Sequence, residues 1–201
     1  MNRLTHRTMK SQSVATPTGE SIGEAERVAR EHLRIVATGD ENAVKKNVTP
    51  DYWNHRSNDE PMEARQRGPA GLIATMRWLH RAFAEMKFEI HEALINGDRV
   101  ALRVTFSARQ IGPFVVHNTP KGDVTDAFPP TGKTFAVFQT HWFTIINGAV
   151  AQHDAVRDDL GMAQQLGWIP PKPIFIIKML ILASRERRAT RQANAAKALP
   201  K

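Results

Sequence analysis

Two Asn-Gly pairs, Asn96-Gly97 and Asn147-Gly148, each sit between long runs in which apolar and polar residues alternate. No other feature of the chain restricts its fold as strongly. Asn-Gly accepts the positive φ angles that a two-residue β-turn needs, so each pair predicts a tight antiparallel hairpin. The first hairpin spans "KFEIHEALINGDRVALRVTFSARQ", with Val100, Leu102, Val104 and Phe106 on one face. The second spans "FAVFQTHWFTIINGAVAQHDAVRDDLG". A period of two over such lengths marks strands rather than helices.

Before residue 87 the period is helical. Ile22, Ala25, Val28, Ala29, His32, Leu33 and Val36 recur three and four apart, and Gly39 ends the run. A short helix follows over 41–47, and "TPDYWNHRSNDEP" reads as a loop. "GPAGLIATMRWLHRAFAEM" is the strongest helix, with Leu72, Met76, Leu79 and Phe83 as its apolar stripe. Residues 111–132 are rich in Pro and Gly and read as a long loop or flap. "DDLGMAQQLG" is a short terminal helix that "WIPPKP" breaks. Helices first and antiparallel strands second predict an α+β fold, with the helices on one face of a curved sheet. The expected organisation is a disordered tail over 1–19, one domain over 20–170, and a basic amphipathic helical extension over 171–201.

Charge matters here because of where it lies. The net charge is +8, a value that invites a nucleic-acid or membrane reading. Residues 1–10 contribute Arg3, Arg7 and Lys10 with no acid, and 171–201 hold eight Lys/Arg against Glu186 alone. Residues 11–170 are therefore slightly acidic, and the body is not expected to bind nucleic acid. The longest apolar run, "IFIIKMLIL", is far short of the ~20 residues that span a bilayer. With no cysteine and no secretory leader pattern, a cytoplasmic location is expected, and disulfides and thiolate metal sites are excluded. The eight histidines show no metal-ligand spacing, so neither metal nor other cofactor is expected.

The second hairpin is oddly polar for a core element. If Asn147-Gly148 is a two-residue turn with regular pairing beyond it, His141 faces Asp154, Phe143 faces Gln152, and Gln139 lies on the same face. That puts a His–Asp pair in a partly dry pocket, an arrangement suited to general acid–base work. Asp158 shares the parity of Asp154. A longer turn would shift Asp154 off that face and favour His153 instead. Trp53, Asn54 and His55, in the loop between helices, are placed to close one end of the pocket. Set against this, a lone His–Asp pair is more often structural than catalytic.

"TPDYWNHRS", "GPAGLIATMRWLHRAFAEMKFEI", "GDRVALR", "PPTGKTF" and "VRDDLGMAQQLG", taken together and in this order, resemble the SnoaL-like polyketide cyclases, or ester cyclases. These belong to the nuclear-transport-factor-two-like superfamily. The resemblance covers roughly residues 22–170. It implies a cone-shaped α+β barrel, in which a curved antiparallel sheet wraps the N-terminal helices around a hydrophobic pocket. It also implies a cofactor-independent intramolecular aldol condensation, in which an aspartate moves a proton and polar side chains hold the enolate oxygen. By position Gln139 and His141 look like the family's Gln-x-His, and Asn54 or His55 like its early-loop polar residue. Asp154 or Asp158 looks like its acid. Two departures stand out. Gln152-His153-Asp154 replaces a Glu-His-Trp run, and "VVHNTPKGDVTDAF" looks inserted. The expected partner is a small hydrophobic substrate. The competing reading is a non-catalytic binding or assembly protein using the same pocket. The apolar start of the C-terminal extension needs a cover. Homodimer packing or docking on its own domain is favoured over a membrane surface.

Overall fold

The computed structural model describes residues 23–198. The segment expected to be a disordered tail lies outside them. The chain runs α1 (Glu24–Thr38), α2 (Glu41–Asn47), β1 (Val48–Asn54), two short 3₁₀ turns (Ser57–Asp59, Met62–Arg65) and α3 (Pro69–Ala82). It continues β2 (Phe83–Asn96), β3 (Arg99–Gln110), β4 (Phe114–Val116), β5 (Asp126–Phe128), β6 (Thr134–Ile146) and β7 (Ala149–Arg157). α4 (Asp159–Leu166) and α5 (Pro173–Ala198) complete it. α1 stops at Gly39, whose φ of 74° is left-handed and cheap only for glycine. The Asp40 side chain then accepts from Ala43 N and starts α2.

Five strands form one sheet in the order β1-β7-β6-β3-β2, and β4 pairs with β5 as a separate small ribbon. All pairs are antiparallel except β1 with β7. β1 corrects the sequence reading, which took "TPDYWN" as loop. Pro50 and alternating polar residues weaken its strand signal, and the pairing that makes it a strand comes from β7, about a hundred residues later.

Both hairpins form, with one correction to the first. Asn96 pairs with Arg99, so the two-residue loop is Gly97-Asp98, with glycine first at φ 61°. In the second, Ile146 pairs with Ala149, and Asn147 and Gly148 carry φ of 50° and 73°, as a type I′ turn requires.

The inner face of the sheet packs on α1 and α3. Val28, Leu33, Leu72 and Met76 meet Val100, Leu102, Val104 and Phe143 in one cluster. Nearer α4, Trp78, Phe83, Phe106, Phe114, Phe135 and Trp168 form a second, aromatic cluster. Val28, Leu33, Leu72 and Met76 are on the expected helix stripes and Val100, Leu102, Val104 and Phe106 on the expected strand face, because a helix stripe and a strand face each remove one side from water. Phe83, expected on the helix stripe, instead opens β2, since α3 ends at Ala82. The expected flap, residues 111–132, is partly the β4–β5 ribbon. α5 lies on it, with Ala183 buried against Val115, Val124 and Ala127. The extension therefore docks on its own domain through one side.

Candidate active site

Between the sheet and the helices lies a cavity of about 270 Å³. Its apolar wall includes Trp78, Phe83, Phe88, Phe106, Phe114 and Trp168, and its polar pole holds His32, Tyr52, Asn54, Glu60, Gln139, His141, His153 and Arg157.

A single irregularity on β7 composes that pole. Ile145 pairs with Val150 as the two-residue turn dictates, but Thr144 pairs with Gln152, so Ala151 is an extra residue in the strand. From there the register is shifted by one. Phe143 faces His153, His141 faces Ala155 and Gln139 faces Arg157. The expected His141–Asp154 pairing is thus corrected. Asp154 is opposite Trp142, on the outer face, exposed, and accepts from the next backbone N–H, that of Ala155, at 2.8 Å. The one-residue shift that brings in His153 does occur, through a bulge rather than a longer turn.

His141, Gln139 and His153 form a relay. His141 Nε2–H donates to Gln139 Oε1 at 2.9 Å, which leaves Nδ1 to accept from His153 Nε2–H, also at 2.9 Å. His32 comes from α1. Its Nδ1–H donates to Asn47 Oδ1 at 2.8 Å, so its Nε2 carries a lone pair. Burial disfavours the charged form of all three rings. His32 is pushed down to about 4 and His141 to about 3, the latter also repelled by His32 and Arg157. His153 is held well below its ordinary value by burial and then by His141. Phe143 does not line the cavity. It lies beneath, its ring 5.0 Å from that of His153 and 5.4 Å from that of His32.

Asp59, Glu60 and Asp159 all line the cavity; the buried carboxyl among them is Glu60, which the sequence reading passed over. It follows the first 3₁₀ turn and is 2% exposed. Thr75 Oγ1 donates to one oxygen and Asn54 Nδ2 to the other, the latter at 3.3 Å. Burial raises Glu60 to about 7, Asp59 adds to the rise, and Thr75, Arg157 and Asn54 oppose it. Tyr52, on β1, is 1% exposed, and among the described residues its hydroxyl has no hydrogen-bond partner. Arg157 donates to Asp59 at 2.7 Å and Asp159 at 3.3 Å. The only sequence signal for Glu60 and Tyr52 was a run of polar and aromatic residues between two helices.

Of the other expected residues, Asn54 lies inside and Trp53, His55, Gln152 and Asp158 fall outside. Asn54 lines the cavity, whereas Trp53 and His55 stack on each other at 4.1 Å on the outer side. Gln152 is exposed and meets His55 Nε2 through its Oε1 at 3.2 Å. Asp158 accepts from Gly161 N at 2.7 Å and caps α4, so its carboxylate serves the helix and does not line the cavity. Among the described residues no group of three or more His, Asp or Glu could hold a metal ion.

The SnoaL-like polyketide cyclase description matches residues 26–166 of the chain. The chain belongs to the SnoaL-like polyketide cyclase family. Among curated relatives, aklanonic acid methyl ester cyclase DnrD of Streptomyces peucetius is 28% identical over 147 residues, 73% of this chain and 92% of that protein. The DauD enzyme of the same description, from Streptomyces sp. (strain C5), is 28% identical over 150 residues, 73% of this chain and 83% of its own length. Among solved structures, TsrD from Streptomyces laurentii matches with a TM-score of 0.57 and 26% identity over 72% of this chain and 95% of its own. A SnoaL-like polyketide cyclase from Agrobacterium tumefaciens shares the fold at a TM-score of 0.54 and 12% identity, over 73% and 100%. The α+β architecture of this SnoaL-like chain is therefore that of the nuclear-transport-factor-two-like fold.

Proposed function

We propose that this family member is a cofactor-independent cyclase that closes a ring within a mainly apolar ester or ketone, through an enolate. The observation that carries this reading is a buried carboxyl, Glu60, and an unpartnered hydroxyl, Tyr52, on the polar pole of one aromatic-walled cavity. In ionised form Glu60 removes a proton from the carbon next to a carbonyl. The C–H electron pair becomes the enolate double bond, and the negative charge moves to oxygen. The Tyr52 hydroxyl and the Gln139 amide, turned by the His141 bond, are the donors for that oxygen. The enolate carbon attacks a second carbonyl of the same molecule, forming a C–C bond. The new alkoxide takes the proton back from Glu60. Substrate and product are isomers, so no co-reactant is needed.

His141 has both ring nitrogens engaged and stays neutral, so in this reading it is a positioning residue for Gln139 rather than the base. Asp154 and Asp158 take no part. The curated relatives are named for aklanonic acid methyl ester, which makes that compound a rational first substrate.

The test is to incubate the protein with aklanonic acid methyl ester and related polyketide esters in D₂O. Mass spectrometry then follows ring closure and deuterium uptake beside the carbonyl. Glu60→Gln should lower both by roughly 10²- to 10⁴-fold, the range for a lost general base. Exchange that survives Glu60→Gln overturns the assignment of the base. Tight binding of these esters without exchange or closure by the native protein points instead to a binding protein.

A further inference from the structure

α5 lies beyond the family match, which ends at residue 166. One side of α5 is docked. Phe175, Leu182 and Ala183 pack on the domain, Arg187 donates to the carbonyl oxygens of Val124 and Thr125 at 2.9 and 2.8 Å, and Glu186 pairs with Arg81 at 2.6 Å. The opposite side follows from helical spacing. Its first turns present Ile174, Ile177, Leu180 and Ile181, each at least half exposed. Its later turns present Arg185, Arg188 and Arg191, also exposed. Lys172 and Lys178 flank the apolar part and are exposed as well. The only acid on the helix, Glu186, is already committed to Arg81.

We propose that this outward face of α5 docks the protein on an anionic membrane surface, with the isoleucine-rich turns entering the headgroup–acyl boundary and the arginines meeting lipid phosphates. Charge complementarity selects this occupant. A second copy packed face to face would set this cationic face, with Lys178, Arg185, Arg188 and Arg191, against its own like charges, with no free acid on either helix to offset them. An anionic surface accepts every one of these cations, and four clustered aliphatic side chains add the apolar component that in-plane helices use. No described helix is long and apolar enough to cross a membrane, so the contact is with the surface. The cavity and its acid are not involved, so this docking stands or falls independently of the proposed cyclase chemistry.

The experiment is co-sedimentation of the full chain with vesicles of phosphatidylcholine alone and of phosphatidylcholine mixed with phosphatidylglycerol. Light scattering of the free protein is run alongside. Binding is expected only to the anionic vesicles and should fade at high salt. It should weaken about fivefold for each charge removed in Arg185→Ala and Arg188→Ala. Ile177→Asp with Ile181→Asp should abolish it while the melting temperature holds, because both side chains already face water. No sedimentation with anionic vesicles, or equal sedimentation with neutral ones, overturns the proposal. So does a dimer that Ile177→Asp splits, which would make the face a self-association surface.

Discussion

At Glu60 a carboxyl is held in a dry pocket, and its titration separates function from stability. Its folded value is raised to about 7 from an ordinary 4.5. Below pH 4.5 both folded and unfolded chains carry the proton, so there is no penalty. As pH rises from 4.5 to 7 the unfolded chain ionises first, and stability is lost progressively until about pH 7. Glu60→Gln should therefore gain stability relative to the native chain between pH 5 and pH 8, by roughly 3 kcal/mol at most. Denaturant melts at the two pH values measure this. Turnover of the native chain should rise with pH through about 7 as the base form appears, and that rise should vanish in Glu60→Gln. The histidines run the other way. His32 and His141 are depressed to about 4 and 3, so they contribute stability above pH 6.5 that is lost as pH falls through their folded values. Tyr52 gives a second separation. Its buried hydroxyl has no partner among the described residues, and burial and Glu60 hold its pKa well above the ordinary value. Tyr52→Phe removes an unsatisfied group, so it should leave the protein as stable or about 1 kcal/mol more stable. The same change should cut turnover at least tenfold, by losing a donor to the enolate oxygen.

Among the elements, β7 decides which side chains enter the pocket. Alternation along β6 and the Asn147-Gly148 turn place Gln139, His141 and Phe143 on the inner face, and that much is legible in the sequence. Asp154 was misplaced because a bulge at Ala151 has no local signature: Ala-Gln-His-Asp alternates equally well in either register. The bulge is favoured by what it buries. It turns His153 toward His141 and His32, and it leaves the polar Asp154 side chain on the exposed outer face. Asp154→Asn should consequently change turnover by less than about twofold. His153→Phe should lower it more than tenfold, by removing the donor to His141 and so freeing Gln139. Steady-state rates of both variants on one substrate decide the matter. The segment carrying Glu60 is fixed by another long-range contact. Arg65 donates to the backbone carbonyl oxygens of Asn58, Glu60, His117 and Thr119. That clamp ties the 3₁₀ turns to the chain just after β4, and no spacing rule connects residues so far apart.

For the molecule as a whole, α5 lies outside the segment that the family description matches. Ala183 covers Val115, Val124 and Ala127, so Ala183→Asp would put an unpaired charge against an apolar ribbon. A loss of about 2–4 kcal/mol is expected, read as a lower melting temperature. The sequence by itself determined the α+β class, both hairpins, the helix stripes, the inward face of β6 and the concentration of positive charge outside the body. All of these follow from rules acting over a few residues: turn geometry, alternation and helical period. Only the tertiary structure decided that β1 is a strand, that β7 carries a bulge, that Glu60 lines the cavity while Asp154 and Asp158 do not, and which side of α5 faces outward. Each of those depends on what another part of the chain buries or pairs with, a choice that no short stretch of sequence contains.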